Sequence, residues 1–303
     1  MLTFLHPLVD ACSVTVLVVG GMSWQRVLAY NALAFALQFP LGVALDARPR
    51  LVKGTFVASL ALTLAGVGLC ACCGAAGVRA LPFGSAALVL ACVGNALFHL
   101  SAGKSVLDAH EGKGGPIGLF ISTGALGLFV GMKLAGGYGL WCCLGFGLAL
   151  AAAGAVAVLC FPALNGRDAR STDIRLLSGW LILFALFALV AWRSWAGLLA
   201  GGMTNAAGLG FALAGASVTW AGKAAGGYLG DRFGRWIVTA ISVVGSLSLC
   251  FFCRPEQAAL WLALLFVAQL ATGPVLSLMY DKSGRASGTA FGLNCLALFT
   301  GSL

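Results

Sequence analysis

Two histidines and one aspartate lie inside apolar runs of this chain, where ionisable side chains are rare. His6 and Asp10 are four residues apart, a spacing that places both side chains on one face of a helix. His99 lies in a later apolar run, four residues after Asn95. An imidazole that titrates near neutral pH, set beside a carboxylate, can bind a ligand or carry a proton. The sequence thus predicts a substrate-binding or proton-coupling set that includes His6, Asp10, Asn95 and His99.

A purely structural role is the alternative for these side chains. A His–Asp pair can lock two helices together, and a single histidine on an apolar helix can bond a neighbouring helix. An unpaired carboxylate at the centre of a membrane costs at least about 2.5 kcal/mol, so Asp10 needs a partner or a cavity. If the run that contains His99 crosses from outside to inside, His99 lies at about the depth of His6, which favours the functional interpretation.

Three cations also fall within apolar runs. Lys133 is expected to extend to the lipid–water interface. Arg193 stands between Trp192 and Trp195, and such tryptophans are typical of an interfacial belt. Lys223 can reach either the cytoplasmic surface or a cavity. The polar side chains that could bond either a neighbouring helix or a ligand are Gln38, Asn95 and Gln269.

Two short charged segments repeat one pattern. The better-preserved copy is Gly227-Tyr-Leu-Gly-Asp231-Arg232-Phe-Gly234-Arg235, a polar turn between two long apolar runs. The earlier copy is Gly42-Val-Ala-Leu-Asp46-Ala-Arg48-Pro49-Arg50. With the aspartates aligned, the first glycine and the last arginine also agree, whereas Ala47 and Pro49 replace the first arginine and the second glycine. Such a repeat is expected when two homologous halves are joined in tandem.

The composition requires that these segments lie in a membrane. Of the 303 residues, 60% are hydrophobic and 9% are charged, whereas a soluble domain carries about 25% charged residues. The apolar runs are continuous and about 20 residues long, which indicates helices and excludes the short alternating strands of a barrel. The predicted class is an all-α polytopic membrane protein of two pseudo-symmetric bundles. We predict about 11 spans, at 2–21, 26–45, 54–76, 84–103, 116–136, 138–160, 176–197, 203–228, 236–252, 257–279 and 287–303.

The distribution of basic residues sets the orientation. With the N-terminus inside, 12 of the 18 lysines and arginines fall in cytoplasmic links, as the positive-inside rule requires. They are Arg48, Arg50, Lys53, Lys104, Lys113, Arg167, Arg170, Arg175, Arg232, Arg235, Lys282 and Arg285. The net charge of +9 therefore reports topology and does not indicate a nucleic-acid partner. The predicted divisions are an N-terminal half at 1–160, a cytoplasmic linker at 161–175 and a C-terminal half at 176–303.

Enzyme signatures are missing from the sequence. It contains no phosphate-binding glycine loop with a lysine, no zinc-ligand spacing and no serine elbow, so we expect no enzymatic activity, cofactor or metal. The 11 cysteines lie almost wholly in apolar runs and are expected to pack as small apolar residues. A membrane-embedded enzyme built on the two intramembrane histidines lacks a nucleophile.

The two charged segments resemble the loop signature of the major facilitator superfamily of secondary transporters. Within it, the chain resembles the fosmidomycin-resistance branch in His6-x-x-x-Asp10, in Gln38-Phe-Pro40-Leu-Gly42, in Gly94 to His99 and in Gly118 to Gly131. Arg193-Ser-Trp195 is similar to a seventh-span motif of relatives. The resemblance implies alternating-access transport of a small solute, possible efflux and drug resistance, and a monomer in a bacterial-type cytoplasmic membrane.

The resemblance also suggests roles for individual residues. Arg193 and Gln269 join the binding set, and the two loops become gates whose carboxylates meet helix N-termini and arginines in one state and release them in the other. The second loop is expected to pack against the eleventh span. The candidate gating residues are Gly42, Asp46, Arg50, Gly227, Asp231, Arg232, Gly234 and Arg235.

Two departures from the branch favour an alternative. Leu100 and Ser101 stand where the branch has Pro-Glu, and Met132 replaces the proline after Gly131. Together with the degenerate first loop and the odd span count, they raise the alternative of a truncated or non-transporting, receptor-like protein.

Overall fold

The computed structural model describes the backbone of residues 1–75, 81–160 and 176–303. All regular structure in these ranges is helical, which confirms the all-α prediction. The predicted linker at 161–175 lies outside the described residues. The described ranges contain twelve α-helices, in the order α1 (Leu2–Val19), α2 (Trp24–Asn31), α3 (Gln38–Ala47), α4 (Val52–Ala75), α5 (Leu81–Ala109), α6 (Gly114–Cys160), α7 (Leu176–Ala206), α8 (Leu209–Phe233), α9 (Arg235–Phe252), α10 (Ala258–Gln269), α11 (Thr272–Lys282) and α12 (Ser287–Thr300).

Eight segments of the described chain are long and apolar enough to cross a membrane. One of them, Gly114–Leu159, has 46 residues, about twice what one crossing needs. Non-helical angles at Tyr138 bend α6 near its middle, where the sequence separates the fifth and sixth spans. The helices α8 and α12 are not among the eight, so a total of eleven crossings stays a prediction.

Two of the predicted spans are interrupted near their centres. A π-helical turn at Ala32–Ala36 joins α2 to α3, and Leu270 and Ala271 separate α10 from α11. Broken helices in membrane proteins occur where the freed backbone lines a cavity or is buried in protein. Apolar periodicity did not reveal either break.

A stripe of glycines on α6 brings that helix against α1. A methyl group added at Gly127 would lie 2.2 Å from the carbonyl oxygen of Pro7, and one at Gly131 would lie 2.8 Å from Cα of Ala11. Small residues one turn apart allow such close backbone contact, which replaces the hydrophobic drive missing in lipid. The stripe Gly124-x-x-Gly127-x-x-x-Gly131 therefore packs tightly against α1.

Two glycine crossings join the chain before residue 161 to the chain after residue 175. A methyl group at Gly42 would lie 2.2 Å from the carbonyl oxygen of Gly288, and one at Gly227 would lie 2.2 Å from that of Gly114. The helix pairs α3–α12 and α6–α8 thus touch backbone to backbone, at equivalent positions of the repeated loop pattern.

We predict that Gly127→Ala destabilises the protein, because the added methyl group overlaps the backbone of α1. Overpacking of this kind costs about 1 to 3 kcal/mol, so the detergent-purified variant should melt at a lower temperature. The matched control is Gly136→Ala in the same helix, where nothing lies within 4 Å of the new methyl group. Equal melting temperatures for the two variants would contradict the packing.

Candidate functional site

His6, Asp10 and His99 meet in the interior, between α1 and α5. The Nε2 atoms of His6 and His99 are 2.6 Å apart. The Asp10 carboxylate lies 3.2 Å from Nε2 of His6 and 3.5 Å from Nε2 of His99. All three residues are buried. We call this set the histidine–aspartate cluster.

Neighbouring helices hold the cluster in place. Asn95, one turn before His99, donates from Nδ2 to Oδ1 of Asp10 at 2.8 Å. A methyl group at Gly124 of α6 would lie 2.3 Å from Oδ2 of Asp10, so only glycine leaves room for the His6–Asp10 pair at this crossing. The structure therefore brings together the four residues that the i,i+4 spacings placed on two helix faces.

The backbone fixes the tautomer of both imidazoles. Nδ1 of His6 lies 2.6 Å from the carbonyl oxygen of Phe120, and Nδ1 of His99 lies 2.9 Å from that of Asn95. A carbonyl oxygen only accepts, so both Nδ1 atoms carry hydrogen. Two neutral rings would then point lone pairs at each other across 2.6 Å. One additional proton between the Nε2 atoms turns this repulsion into a hydrogen bond, with Asp10 supplying the balancing charge.

The same atoms are potential metal ligands. One ligand atom from each of His6, Asp10 and His99 lies within 4.8 Å of the others, and the Nδ1–carbonyl bonds are of the kind that orient metal-bound histidines. Two nitrogens bound to one metal at about 2.0–2.1 Å need to be roughly 3 Å apart. The observed 2.6 Å is shorter and suits a shared proton. The sequence predicted these residues as a binding or proton-coupling set, but metal-ligand spacing rules did not identify them, because the two histidines are 93 residues apart.

Arg193 lies in the interior of the other half. It is 4% exposed, and its Nη1 donates to Oε1 of Gln269 at 2.9 Å and also to Oγ1 of Thr272. Gln269 ends α10 and Thr272 begins α11, so the break in the tenth predicted span supplies both acceptors. The expectation that Arg193 belongs to an interfacial belt is therefore wrong, although Trp195 beside it is 49% exposed.

The remaining polar candidates separate into buried and exposed groups. Gln38 is fully buried and donates from Nε2 to the Ala34 carbonyl oxygen within its own span. Lys133 is exposed on α6, in line with an interfacial position. Lys223 is partly exposed on α8. Its carbonyl oxygen would lie 2.7 Å from a methyl group at Gly118 of α6, and a methyl group at the neighbouring Gly222 would lie 3.0 Å from Cβ of Gln269.

Asp46 of the first loop caps a helix of the other half. Its Oδ1 accepts from the backbone N–H of Gly288 at 2.9 Å, and its Oδ2 accepts from that of Thr289 at 2.6 Å. Both N–H groups belong to the first turn of α12, where the helix dipole favours a negative charge. The hydroxyl of Thr289 also donates to Oδ2, at 2.8 Å.

Asp231 of the second loop does the same in the opposite direction. Its Oδ1 accepts from the N–H of Gly114 at 2.9 Å and its Oδ2 from that of Gly115 at 2.7 Å, both at the start of α6. Arg235 lies 3.8 Å from Asp231 and bonds Asp281 at 2.5 Å. The expectation that this loop packs against the eleventh span is wrong: its hydrogen bonds reach α6, and it is Asp46 of the first loop that bonds α12.

Lys104 provides the cation that the first loop lacks. Its Nζ lies 2.8 Å from Oδ1 of Asp46, 2.9 Å from Oγ of Ser287 and 3.4 Å from Asp108. Lys104 is 1% exposed and lies inside α5, so its assignment to a cytoplasmic link is corrected. A lysine four residues before an aspartate near a helix end was the available signal, but the pairing with Asp46 depends on tertiary structure.

The other gating candidates differ in their surroundings. Arg50 and Arg232 are exposed, and neither forms an ion pair with another residue that the structure describes; Arg232 stacks over the ring of Phe233 at 5.3 Å. Gly234 has a φ of 105° and separates α8 from α9, a left-handed conformation that favours glycine. The glycine–aspartate pairs of the two loops, Gly42–Asp46 and Gly227–Asp231, thus each contact a helix on the other side of the 161–175 segment.

We predict that Asp46→Asn loosens the start of α12, because two amides lose their charged acceptor. Bonds to charged groups are worth about 1.5–3 kcal/mol, so amide hydrogen exchange at Gly288 and Thr289 should accelerate about 10-fold or more. Glu256→Gln, an exposed carboxylate in the link between α9 and α10, is the control. Unchanged protection in Asp46→Asn would contradict the capping role.

No model of a known protein family and no curated protein matches this sequence. Solved structures do match the fold. A variant of the E. coli fucose:proton symporter FucP has a TM-score of 0.71 at 14% identity, with 99% of this chain and 87% of that chain covered. FucP in the outward conformation, described as a major facilitator superfamily transporter, gives 0.71 at 15% identity and the same coverage.

A third similar structure is a bacterial homologue of the iron transporter ferroportin in an outward-facing state. Its TM-score is 0.54 at 14% identity, with 99% of this chain and 88% of that chain covered. These neighbours are transporters and not enzymes. At such identities the likeness establishes the fold, so the chain is a multi-pass helical membrane protein with the fold of the major facilitator superfamily transporters.

Proposed function

We propose that this protein is a secondary transporter that moves a small solute across a membrane by alternating access. The carrying observation is the reciprocal capping of helix ends, in which Asp46 and Asp231 each bond the first turn of a helix in the opposite half. Positive-inside orientation assigns both contacts to the cytoplasmic side. The structure would then represent a state closed toward the cytoplasm.

These contacts have the properties of a gate. Each carboxylate bonds N–H groups of the other half, and such bonds can be exchanged for water when the halves separate. The glycine crossings at Gly42 and Gly227 carry no side chains that interlock. A bistable interface of this kind is what rocking of two bundles about a central site requires.

The histidine–aspartate cluster supports proton coupling. The 2.6 Å distance between the Nε2 atoms of His6 and His99, next to Asp10, suits one shared proton at a buried position. FucP, which shares the fold, is a fucose:proton symporter. We propose that loading and unloading of this proton accompanies solute movement.

Membrane location and direction are further parts of the proposal. The fosmidomycin-resistance resemblance supports a monomer in a bacterial-type cytoplasmic membrane and export of a drug or metabolite. The receptor-like alternative rested partly on the degenerate first loop, and Lys104 supplies the cation that this loop lacks.

We predict that Asp231→Asn slows transport with little loss of folded protein, because the gate loses its charge while its shape is kept. Solutes would first be selected by their effect on the melting temperature. Counterflow of the selected solute in proteoliposomes would then be compared with wild type, expecting at least a roughly 10-fold slower rate. Counterflow at the wild-type rate would reject the gating role, and no counterflow of any stabilising solute by the wild type would reject transport.

We further predict that His99→Gln separates solute exchange from proton-driven accumulation. The variant removes the shared proton, so an imposed pH gradient should no longer concentrate the solute, whereas counterflow without a gradient should continue. His110→Gln is the control, because His110 is exposed at the end of α5. Gradient-driven uptake that survives in His99→Gln would exclude the cluster as the coupling site.

A further inference from the structure

Cations and carboxylates are unevenly distributed in the interior. The chain contains nine acidic residues, and only Asp10 lies in the middle of an apolar run. Six others lie in links or in the last turn of a helix, and they are Asp46, Asp108, Glu111, Asp231, Glu256 and Asp281. The remaining two, Asp168 and Asp173, lie outside the described residues. Asp10 is already bonded by the two histidines and Asn95. No interior carboxylate is left to pair with a further cation in the described part of the chain.

Arg193 is a buried cation without an anion. Its Nη1 bonds two neutral oxygens, of Gln269 and Thr272. Its Nη2 is buried and has no hydrogen-bond partner in the described structure. A buried donor on a charged group is costly to leave unsatisfied. The protein therefore fixes the guanidinium through Nη1, whereas Nη2 remains available to donate to a further oxygen.

Lys223 is a second cation of the same interior. It forms neither an ion pair nor a hydrogen bond in the described residues. A methyl group at the neighbouring Gly222 would lie 3.0 Å from Cβ of Gln269, the residue whose Oε1 accepts from Arg193. The backbone of Lys223 lies where α8 packs against α6, because its carbonyl oxygen would lie 2.7 Å from a methyl group at Gly118. Gly124, whose added methyl group would contact Asp10, lies six residues after Gly118 on the same helix. Six residues correspond to about 9 Å along the helix axis. A lysine side chain can span most of that distance.

We propose that Arg193 and Lys223 form the binding site of an anionic solute that carries a carboxylate or phosphate group. The two cations exceed the one interior carboxylate, and an anion between them would satisfy the free Nη2 edge of Arg193 and the ammonium group of Lys223. A guanidinium fork bonds planar or tetrahedral oxyanions in this way, and a lysine adds a point charge. Gln269 and Thr272 hold the fork in position from the break between α10 and α11. The inference rests on the transport function proposed above and names its substrate class.

The test uses purified full-length protein and matched pairs of charged and neutral probes. Binding of fumarate, glycerol 3-phosphate and inorganic phosphate would be measured by thermal shift and calorimetry, with fumaramide and glycerol as neutral counterparts. We expect at least one anion to bind and its neutral counterpart not to bind. Arg193→Gln and Lys223→Gln should each weaken that binding about 10- to 100-fold. Comparing the affinity for fumarate with the affinities for the two phosphates shows whether the site prefers a carboxylate or a phosphate group.

The control variants and outcomes test the anion site separately from the proposed transport function. Lys133→Gln removes an exposed cation of α6 and should leave anion affinity unchanged. Arg193→Lys keeps the charge and loses the fork, so it should lose less affinity than Arg193→Gln; this comparison remains usable if the glutamine variant folds poorly. Anion binding without counterflow would support the site and reject transport. Counterflow of a neutral solute only, binding of no anion, or affinity unaffected by both substitutions would overturn the anion site.

Discussion

A carboxylate held by the first turn of a helix from the opposite half is the interaction on which this structure depends. The interaction occurs twice, with Asp46 at α12 and Asp231 at α6. Each aspartate follows by one turn a glycine that lets the two backbones touch. Helix N-termini attract negative charge over a short range, so the bond requires close contact between the two parts of the chain. The two bundles are thereby held in register, and the interior polar residues come to face one another.

This alignment of the two bundles determines which polar side chains lie together in the interior. The chain before residue 161 contributes two imidazoles and a carboxylate, and the chain after residue 175 contributes Arg193 and the interrupted tenth predicted span. In the proposed transporter, movement at the Asp46 and Asp231 contacts would change the surroundings of both sets. Coupling between solute, proton and gate would then be a property of the interface and would require no chain of contacts from one site to another.

The sequence predicted the features that depend on local spacing. Apolar run length predicted the helices, and i,i+4 spacing predicted the shared face of His6 and Asp10. It did not predict the helix ends that Asp46 and Asp231 bond, because backbone N–H groups carry no sequence signal. Lys104 was assigned to a link because a lysine near a polar segment is ordinarily solvated. Arg193 was assigned to an interfacial belt from its tryptophan neighbours, although the break that satisfies it lies 76 residues away.

The cation partners of the gate belong to the same half as the carboxylates they neutralise. Lys104 and Asp46 both precede residue 161, and Arg235 and Asp231 both follow residue 175. In the proposed transport cycle, each carboxylate would therefore keep its counterion and would exchange only amide hydrogen bonds for water. Neither carboxylate would be left without a cation beside it. The open and closed states can then lie close in free energy, so a solute of modest affinity would suffice to shift the balance between them.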